Sequence, residues 1–431
     1  MNSSPSIPAL PELSAPAGNF ECLQAACDHG ADAVYVGLGR YNLRSRCANF
    51  TAEELGDAID YVKGRGKKIY CALNTMPDDA ALGEIESVLR ACRDLGRLPD
   101  ALIVSDPGVL MLCRRWLESV PLHLSTQTGT FNSESAKFWK SQGVARVILP
   151  REMSLPQIAA LTRKAGMETE IFAHGAMCVS VSGRCLLGAY LANRHPNWGD
   201  CSQPCRLKYR IAACEEGGAE GKWLTVEEDR DLAGGTDSYI LNSKDLNTLA
   251  ILPRIAATGV ASLKIEGRNK SSHYVAAVVK VYRDALDAFA SDPESYRVRQ
   301  WWTDELERLD HRPYTTGFYD GESRLQEPGG SEARSGLRVV GMVKGLLAGG
   351  QAVVDVKNPF SAGDTVSVLP VKTGSDPFSL RVTSISDMGG NPVERAATNR
   401  FVVISGDTLL RIGDLLRRQE SSVVQGPSLH P

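Results

Sequence analysis

Between Glu12 and Arg268 the chain alternates short apolar runs with longer stretches whose apolar residues recur at helical spacing. The runs Glu12–Ser14, Ala33–Val36, Lys68–Leu73, Ala101–Val104, Leu122–Ser125, Arg146–Leu149, Glu168–Phe172 and Ser262–Ile265 predict eight strands. Between them, Thr51–Lys63, Asp78–Leu95 and Ser154–Lys164 predict helices, the first opening on a capping box of Thr51 and Glu54. Strands that alternate strictly with helices build right-handed βαβ units and therefore a parallel sheet. Eight repeats predict an α/β fold closed as a (β/α)8, TIM-like barrel.

The polar positions add to that pattern. Ser14, Asn74, Ser105 with Asp106, Ser125 with Gln127, Arg151 with Glu152, His174, and Glu266 with Arg268 all fall at or just beyond strand C-termini. In such barrels the active site lies at that end. After the seventh strand the alternation breaks for about 65 residues, an insertion at 175–240, before a strand at Tyr239–Leu241 and a helix at Asp245–Ala257. Helices around His273–Ala290 and Trp301–Leu309 complete a barrel domain spanning 12–320. The Gly-, Ser- and Pro-rich stretch 321–336 reads as a linker. Beyond it, Arg338–Val343, Gln351–Val356, Thr365–Val368, Leu380–Ile385 and Arg400–Val403 are β-branched runs separated by turns, which predicts a small β-barrel at 337–418. Residues 1–11 and 419–431 read as flexible tails.

Composition changes this picture little. A chain of 431 residues exceeds the roughly 250–300 that one core supports, consistent with more than one domain. A hydrophobic share of 43% and a charged share of 23% exclude a disordered or fibrous chain. The formal charge of -3 still allows a local basic face for nucleic acid. No apolar run approaches the ~20 residues of a membrane span, and the N-terminus lacks the basic and apolar regions of a secretory signal. A cytoplasmic protein with no membrane partner is the expectation.

Cysteine usage changes the picture more. Eleven cysteines in such a chain are expected as thiols, and four of them, Cys178, Cys185, Cys201 and Cys205, fall within 28 residues at the spacing C-x6-C-x15-C-x3-C. Four thiolates suit tetrahedral zinc or an iron–sulfur cluster. Structural zinc usually takes paired C-x2-4-C knuckles, which only the second pair matches, so the iron–sulfur reading leads. Cys214 is the reserve fourth ligand should Cys205 be free. Gly175, Gly183 and Gly199 would let backbone amides approach the sulfur atoms.

The segment Glu170-x-Phe172-x2-Gly175-Ala-Met-Cys178-x4-Gly183-x-Cys185 resembles the signature of the collagenase-like peptidase family of unassigned catalytic type. Gly188 replaces a serine of that pattern, which argues against a serine nucleophile there. Leu13–Gly18, Gly30–Gly37, Ser105–Gly108, Asn242–Leu246, Ser262–Arg268, His311–Phe318 and Cys201–Arg206 extend the resemblance over nearly the whole chain. They look most like the branch that hydroxylates tRNA. That resemblance implies oxygen-independent, prephenate-dependent conversion of wobble uridine to 5-hydroxyuridine, with an iron–sulfur cluster (4Fe–4S) as cofactor and prephenate as co-substrate. It also implies tRNA as partner, and allows a paired family member or an electron donor.

Prephenate carries two carboxylates, which Arg151, Arg184, Lys264 and Arg268 are placed to receive, with Asn74 and Gln127 as further substrate contacts. Each cation could instead serve a rim salt bridge such as Glu266 with Arg268. His174, Glu152, Glu170 and Glu266 are the acid–base candidates, His174 alternatively a hydrogen-bonder supporting the metal site. The basic runs Lys63–Lys68 and Arg206–Arg210 and the segment Arg268–Lys270 are candidate RNA contacts, with Tyr70, Trp198 and Tyr209 as base-stacking aromatics. The small β-barrel is a second candidate RNA surface. A peptidase and a zinc-bearing RNA-binding scaffold are the competing classes, but neither H-E-x-x-H nor G-x-S-x-G occurs.

Overall fold

The computed structural model describes residues 10–209, 239–321, 325–330 and 336–419, and the backbone of a short antiparallel pair, Ala212–Cys214 with Trp223–Thr225. Cys214's side chain and Arg210 lie outside the described residues. Contacts divide the chain into two compact units, one of Met1–Phe20, Asp32–Asn269 and His311–Ala333, the other of Glu21–Ala31, Lys270–Asp310 and Arg334–Pro431.

The first unit is built on eight parallel strands: β1 (Glu12–Pro16), β2 (Ala33–Gly37), β3 (Lys68–Leu73), β4 (Ala101–Val104), β5 (Leu122–Leu124), β6 (Val144–Ile148), β7 (Glu168–Ala176) and β8 (Ser262–Ile265). They follow one another around the sheet, and β8 pairs with both β7 and β1, closing the barrel that the pattern predicts. β2 and β4 are buried at every position, as strands covered on both faces must be. Thr51 caps the helix Ala52–Lys63 through the capping box with Glu54, and Asp78 caps Asp79–Leu95. No helix among the described residues is long and apolar enough to cross a membrane.

Beyond β7 the structure departs from the pattern. Tyr239–Leu241 holds no strand, and Ile240 and Leu241 form a turn. The strand there is Asp245–Asn247, antiparallel to β7 with Leu246 opposite Gly175 and Asn247 opposite His174. This pairing carries β7 past Phe172 to Ala176, and it displaces the predicted helix Asp245–Ala257, which shrinks to Leu252–Ala256. Helical spacing of Leu246, Leu249 and Leu252 was the misleading signal: Leu246 is used in a strand.

The second unit contains the helices Phe20–Asp28 (from Glu21 onward), Ser272–Ser291 and Gln300–Glu307, and a closed antiparallel barrel. Its strands are β9 (Leu337–Leu346), β10 (Ala352–Val356), β11 (Thr365–Leu369), β12 (Phe378–Ser386), β13 (Phe401–Gly406) and β14 (Leu415–Gln419). They run in the order β9-β10-β13-β12-β11-β14, and β14 returns to β9. Val340, Val354, Val366, Leu380 and Leu416 fill its core. β14 is missing from the sequence reading because its run Leu-Leu-Arg-Arg-Gln looks polar. Arg417 is nevertheless buried, satisfied by Glu305, His273 and Ser367.

Candidate active site

Two groups of charged side chains occupy the parallel barrel. Near the strand starts, Arg146 Nη1 on β6 lies 2.7 Å from Glu12 Oε1 on β1 and 3.2 Å from Glu170 Oε2 on β7. Lys264 Nζ on β8 donates to Glu170 Oε1 at 2.8 Å, and the Tyr70 hydroxyl on β3 donates to Glu12. β1 and β6 are not neighbours in the sheet, so these bonds cross the lumen. Burial pushes the Glu170 carboxyl up, but Lys264 and Arg146 together outweigh it and hold it at about 2. Glu170 and Lys264 are thus partners in an interior ion-pair network. Tyr70, buried with its hydroxyl on Glu12, is not available to stack a base. The run Lys63–Lys68 leads into β3, whose first residue is Lys68, and so lies at this same end.

The strand ends form the other group. Glu266, just past β8, accepts from Arg44 Nη2 at 3.0 Å and lies 3.4 Å from Arg151 Nη2. Burial raises its carboxyl, and Arg44, Arg151 and Arg268 outweigh burial to hold it below the usual carboxylate range. The Arg151 guanidinium lies 3.6 Å from the centroid of the Phe172 ring. The rim salt bridge expected between Glu266 and Arg268 is not the arrangement found. Arg268 instead donates to Asn42 Oδ1 at 2.5 Å and Asn49 Oδ1 at 3.5 Å, both in the loop after β2. Gly37 makes room for that head group, because a Cβ there would stand 2.1 Å from Arg268 Nη1.

A second pair of arginines joins this group. Arg312 Nε donates to Asp245 Oδ1 at 3.0 Å and its Nη1 to Asn242 Oδ1 at 2.9 Å. Burial, and then Arg312 beside it, lower the pKa of Arg206. Among the described residues this linked set holds five guanidinium groups, Arg44, Arg151, Arg206, Arg268 and Arg312, against the carboxylates of Glu266 and Asp245.

The cysteines lie beside these cations. Cys178 is exposed, while Cys185, Cys201 and Cys205 are half-buried. Burial raises the Cys205 thiol, and Cys178 and Cys201 raise it further while Arg206 and Arg312 oppose them. Cys205 therefore lies within electrostatic range of both Cys178 and Cys201. Arg44 in turn feels Cys201. The Leu187 amide donates to Cys185 Sγ at 3.3 Å, the kind of bond a thiolate ligand accepts. As the side chains stand, no three His, Cys, Asp or Glu among the described residues are close enough to hold a single metal ion.

Loops from the barrel hold the cysteine segment in place. Ser45 Oγ donates to the Gly199 carbonyl at 2.9 Å, and Arg46 Nε to Asp200 Oδ1 at 2.6 Å. Glu152 accepts from the Ser182 amide at 2.7 Å, fixing the turn Val181–Gly183 between the first two cysteines. Gly199 and Gly175 serve close backbone approach: a Cβ would stand 2.2 Å from the Asn42 carbonyl oxygen at Gly199 and 2.5 Å from that of Glu266 at Gly175. Ser182, Asn193 and Gln203 all adopt positive φ in this segment, a concentration of local strain typical of functional sites.

Most of the remaining predicted residues come to the same end. His174, buried, packs against Tyr314, whose ring stacks on His311 at 4.1 Å. Asn74 Nδ2 donates to Ser125 Oγ at 3.1 Å. Gln127 is fully buried with neither amide atom bonded among the described residues, and its turn Thr126–Thr128 packs against Val181–Gly183. Arg184 is exposed. Sequence reasoning missed Arg44, Asn42, Asn49, Asp245 and Arg312 as site residues, although Asp245 and Arg312 stand inside blocks that carry the family resemblance.

The fold is an eight-stranded parallel barrel whose strand ends carry an arginine-rich mouth and a cysteine-bearing segment, the end at which barrels of this class place their active sites. The description Peptidase family U32 matches residues 18–327, and Peptidase family U32 C-terminal domain matches residues 336–417. The chain belongs to this family. It is 36% identical over 399 residues to a tRNA hydroxylation protein P1 of Bacillus subtilis, covering 92% of each chain. Similarity to a tRNA hydroxylation protein P of Escherichia coli is 37% over 83% of this chain and 86% of that one. A protein of Porphyromonas gingivalis named collagenase is 31% identical over 73% of this chain and 75% of its own.

Proposed function

We propose that this chain is an RNA-modifying enzyme that hydroxylates tRNA, converting wobble uridine to 5-hydroxyuridine without oxygen, with prephenate as co-substrate. In this reading Cys178, Cys185, Cys201 and Cys205 hold an iron–sulfur cluster. The observation that carries it is the juxtaposition of the arginines at the mouth with Cys205, itself in range of Cys178 and Cys201, in a chain so similar to proteins named for tRNA hydroxylation. The donor set fits: soft thiolates, an amide bonded to Cys185 Sγ, and cations facing Cys201 and Cys205 suit a centre of net negative charge. Loading it requires the segment to draw its thiols together.

Replacing C5–H of uracil by C5–OH withdraws two electrons. In this reading prephenate gives up its hydroxyl group and takes the uracil hydrogen in exchange, so that it is reduced as the base is oxidised, and a bound cluster would supply electron transfer in single steps. The residues divide the remaining work. Arg151, Arg44 and Arg268 receive the carboxylates of prephenate by paired, charge-assisted hydrogen bonds. Glu266, kept ionised, aims Arg44 and Arg151. Glu152 is committed to the Ser182 amide and Glu170 to its ion pairs. His174, four residues before Cys178, is then the group that holds or moves a proton.

Mass spectrometry of tRNA nucleosides from wild-type and Cys178→Ala cells, in a strain with no second route, tests the proposal. Loss of 5-hydroxyuridine in the variant, with iron and acid-labile sulfide in the anaerobically purified wild type, is the expected result. Full wobble 5-hydroxyuridine in a strain lacking the chain overturns it. Gelatin cleavage by metal-free protein would favour the peptidase reading suggested by the collagenase relative's name.

A further inference from the structure

The outer face of the cysteine segment is unusually apolar for solvent-exposed surface. Leu186, Tyr190 and Leu191 start or lie on the helix Leu187–Ala192, Trp198 closes the turn Pro196–Trp198, and Leu207 follows the turn Pro204–Arg206. That helix packs against both turns, so these exposed side chains belong to one small cap. Tyr190 is 83% exposed and Trp198 54%, the latter with its ring stacked on His195 at 4.3 Å. Large rings left in water beside a catalytic mouth point to a partner.

Charge identifies the kind of partner. Residues 178–208 contain Arg184, Arg194, Arg206 and Lys208 against the single acid Asp200, a net +3 within a chain whose formal charge is -3. Asp200 is itself held by Arg46 and Arg194. Arg184 and Lys208 are exposed. Protein-binding patches are depleted of charge at their centres, whereas single-stranded nucleic acid is gripped by aromatic platforms set among cations.

We infer that this cap is the docking surface for the single-stranded loop of a tRNA, with Tyr190 and Trp198 each stacking a base and Arg184 and Lys208 following the phosphates. The inference rests on the tRNA reading above and adds to it the surface that presents the target base to the mouth.

Fluorescence anisotropy with an unmodified tRNA transcript bearing a wobble uridine provides the test. Tyr190→Ala and Trp198→Ala each weaken binding about tenfold, within the range of a lost stacked base. Trp198→Phe retains most of the affinity, which separates stacking from misfolding, and matching thermal midpoints check the alanine variants. Arg184→Ala with Lys208→Ala flattens the salt dependence of binding. Folded alanine variants that bind tRNA as tightly as wild type overturn the inference, and more so if they lose self-association or a protein partner instead. Wild-type protein that binds no tRNA at all overturns the tRNA reading as well, an outcome distinct from the first.

Discussion

At the strand-start end of the parallel barrel, Glu12, Glu168 and Glu170 face Lys68, Arg146 and Lys264, three anions to three cations joined in one network. At the mouth, five guanidinium groups share Glu266 and Asp245. Both groups contain deeply buried members, but the first is carried mainly by the barrel strands and the second by the loops and segments beyond their ends. The difference lies in closure. Each of these six charges finds a counter-charge within the network, which therefore needs no ligand. The mouth carries positive charge that the described side chains leave uncompensated, a cost tolerable where anions arrive: thiolates, a cluster, carboxylates or phosphates.

Breaking the closed end should have the largest effect on stability. Glu170→Ala leaves Lys264 and Arg146 buried beside a missing anion, and unfolding in urea should show a loss of about 3–5 kcal/mol. A loss below about 1 kcal/mol would mean that the network is solvated, and the contrast between the two ends would collapse.

Acid gives the next largest effect. Burial, then Arg146, lower the pKa of His123 to about 3 from 6.5, so the folded protein keeps it neutral while the unfolded chain protonates near 6.5. The unfolded state then binds the extra proton, and stability falls as pH drops from 6.5 toward 3. Glu170 acts in the same direction lower down: its stabilisation is present above pH 4.5 and is lost as pH falls toward 2. His123→Phe, which can keep the edge-on ring contact with Tyr70, should reduce the slope of stability against pH by about 1.4 kcal/mol per unit between 6 and 4. His29 and His273 in the second unit, buried with lowered pKa values, keep contributing the same sign in the variant.

How far each end could be read from sequence follows from the same contrast. Strand periodicity located the barrel, because Ala101–Val104 or Ser262–Ile265 is a local signal. The cysteine spacing is also local, and so are the strand-end residues Arg151, His174 and Glu266. Nothing local tells that Glu170 and Lys264 turn toward the strand starts, since strand position alone does not say which partners a charge will meet across the lumen. Arg44 and Arg312 were invisible for the converse reason. One reaches Glu266 from 222 residues away and the other reaches Asp245 from 67. β14 was hidden by Arg417, whose burial depends on Glu305 and His273 in other elements.

The mouth should respond to charge removal in the opposite way from the strand starts. Burial and then Arg312 beside it disfavour the Arg206 charge, with Asp245 opposing them, so Arg206→Gln removes a repulsion along with a smaller attraction. Its unfolding free energy should change by less than about 1 kcal/mol, in either direction. Hydroxylation of tRNA in cells, read by nucleoside mass spectrometry, should fall at least tenfold. A variant as unstable as Glu170→Ala would show that Arg206 is paired within the protein after all, and that the mouth is as closed as the other end.

The smallest effect is expected where the cap meets the loop after β2. Asp200 accepts from Arg46 and from Arg194, side chains that are 63% and 26% exposed. Ion pairs this open to water contribute about 0.2–1 kcal/mol, and Asp200→Asn should lower global stability by no more than that. Its local consequence should be larger than its global one. Asn keeps an acceptor for Arg46 but loses the charge that holds two guanidinium groups at once, so the Gly199 and Asp200 backbone is then held chiefly by Ser45 and by amide bonds to Pro196 and His195. Hydrogen exchange at residues 198–201 should therefore quicken while exchange in β1–β8 stays unchanged. Raising the salt concentration should mimic the substitution in the wild type and leave the variant unaffected, because screening acts on the charge that Asn lacks. If exchange instead quickens throughout the barrel, the cysteine segment is part of the core. The mouth would then owe its excess charge to rigid packing rather than to a ligand it awaits.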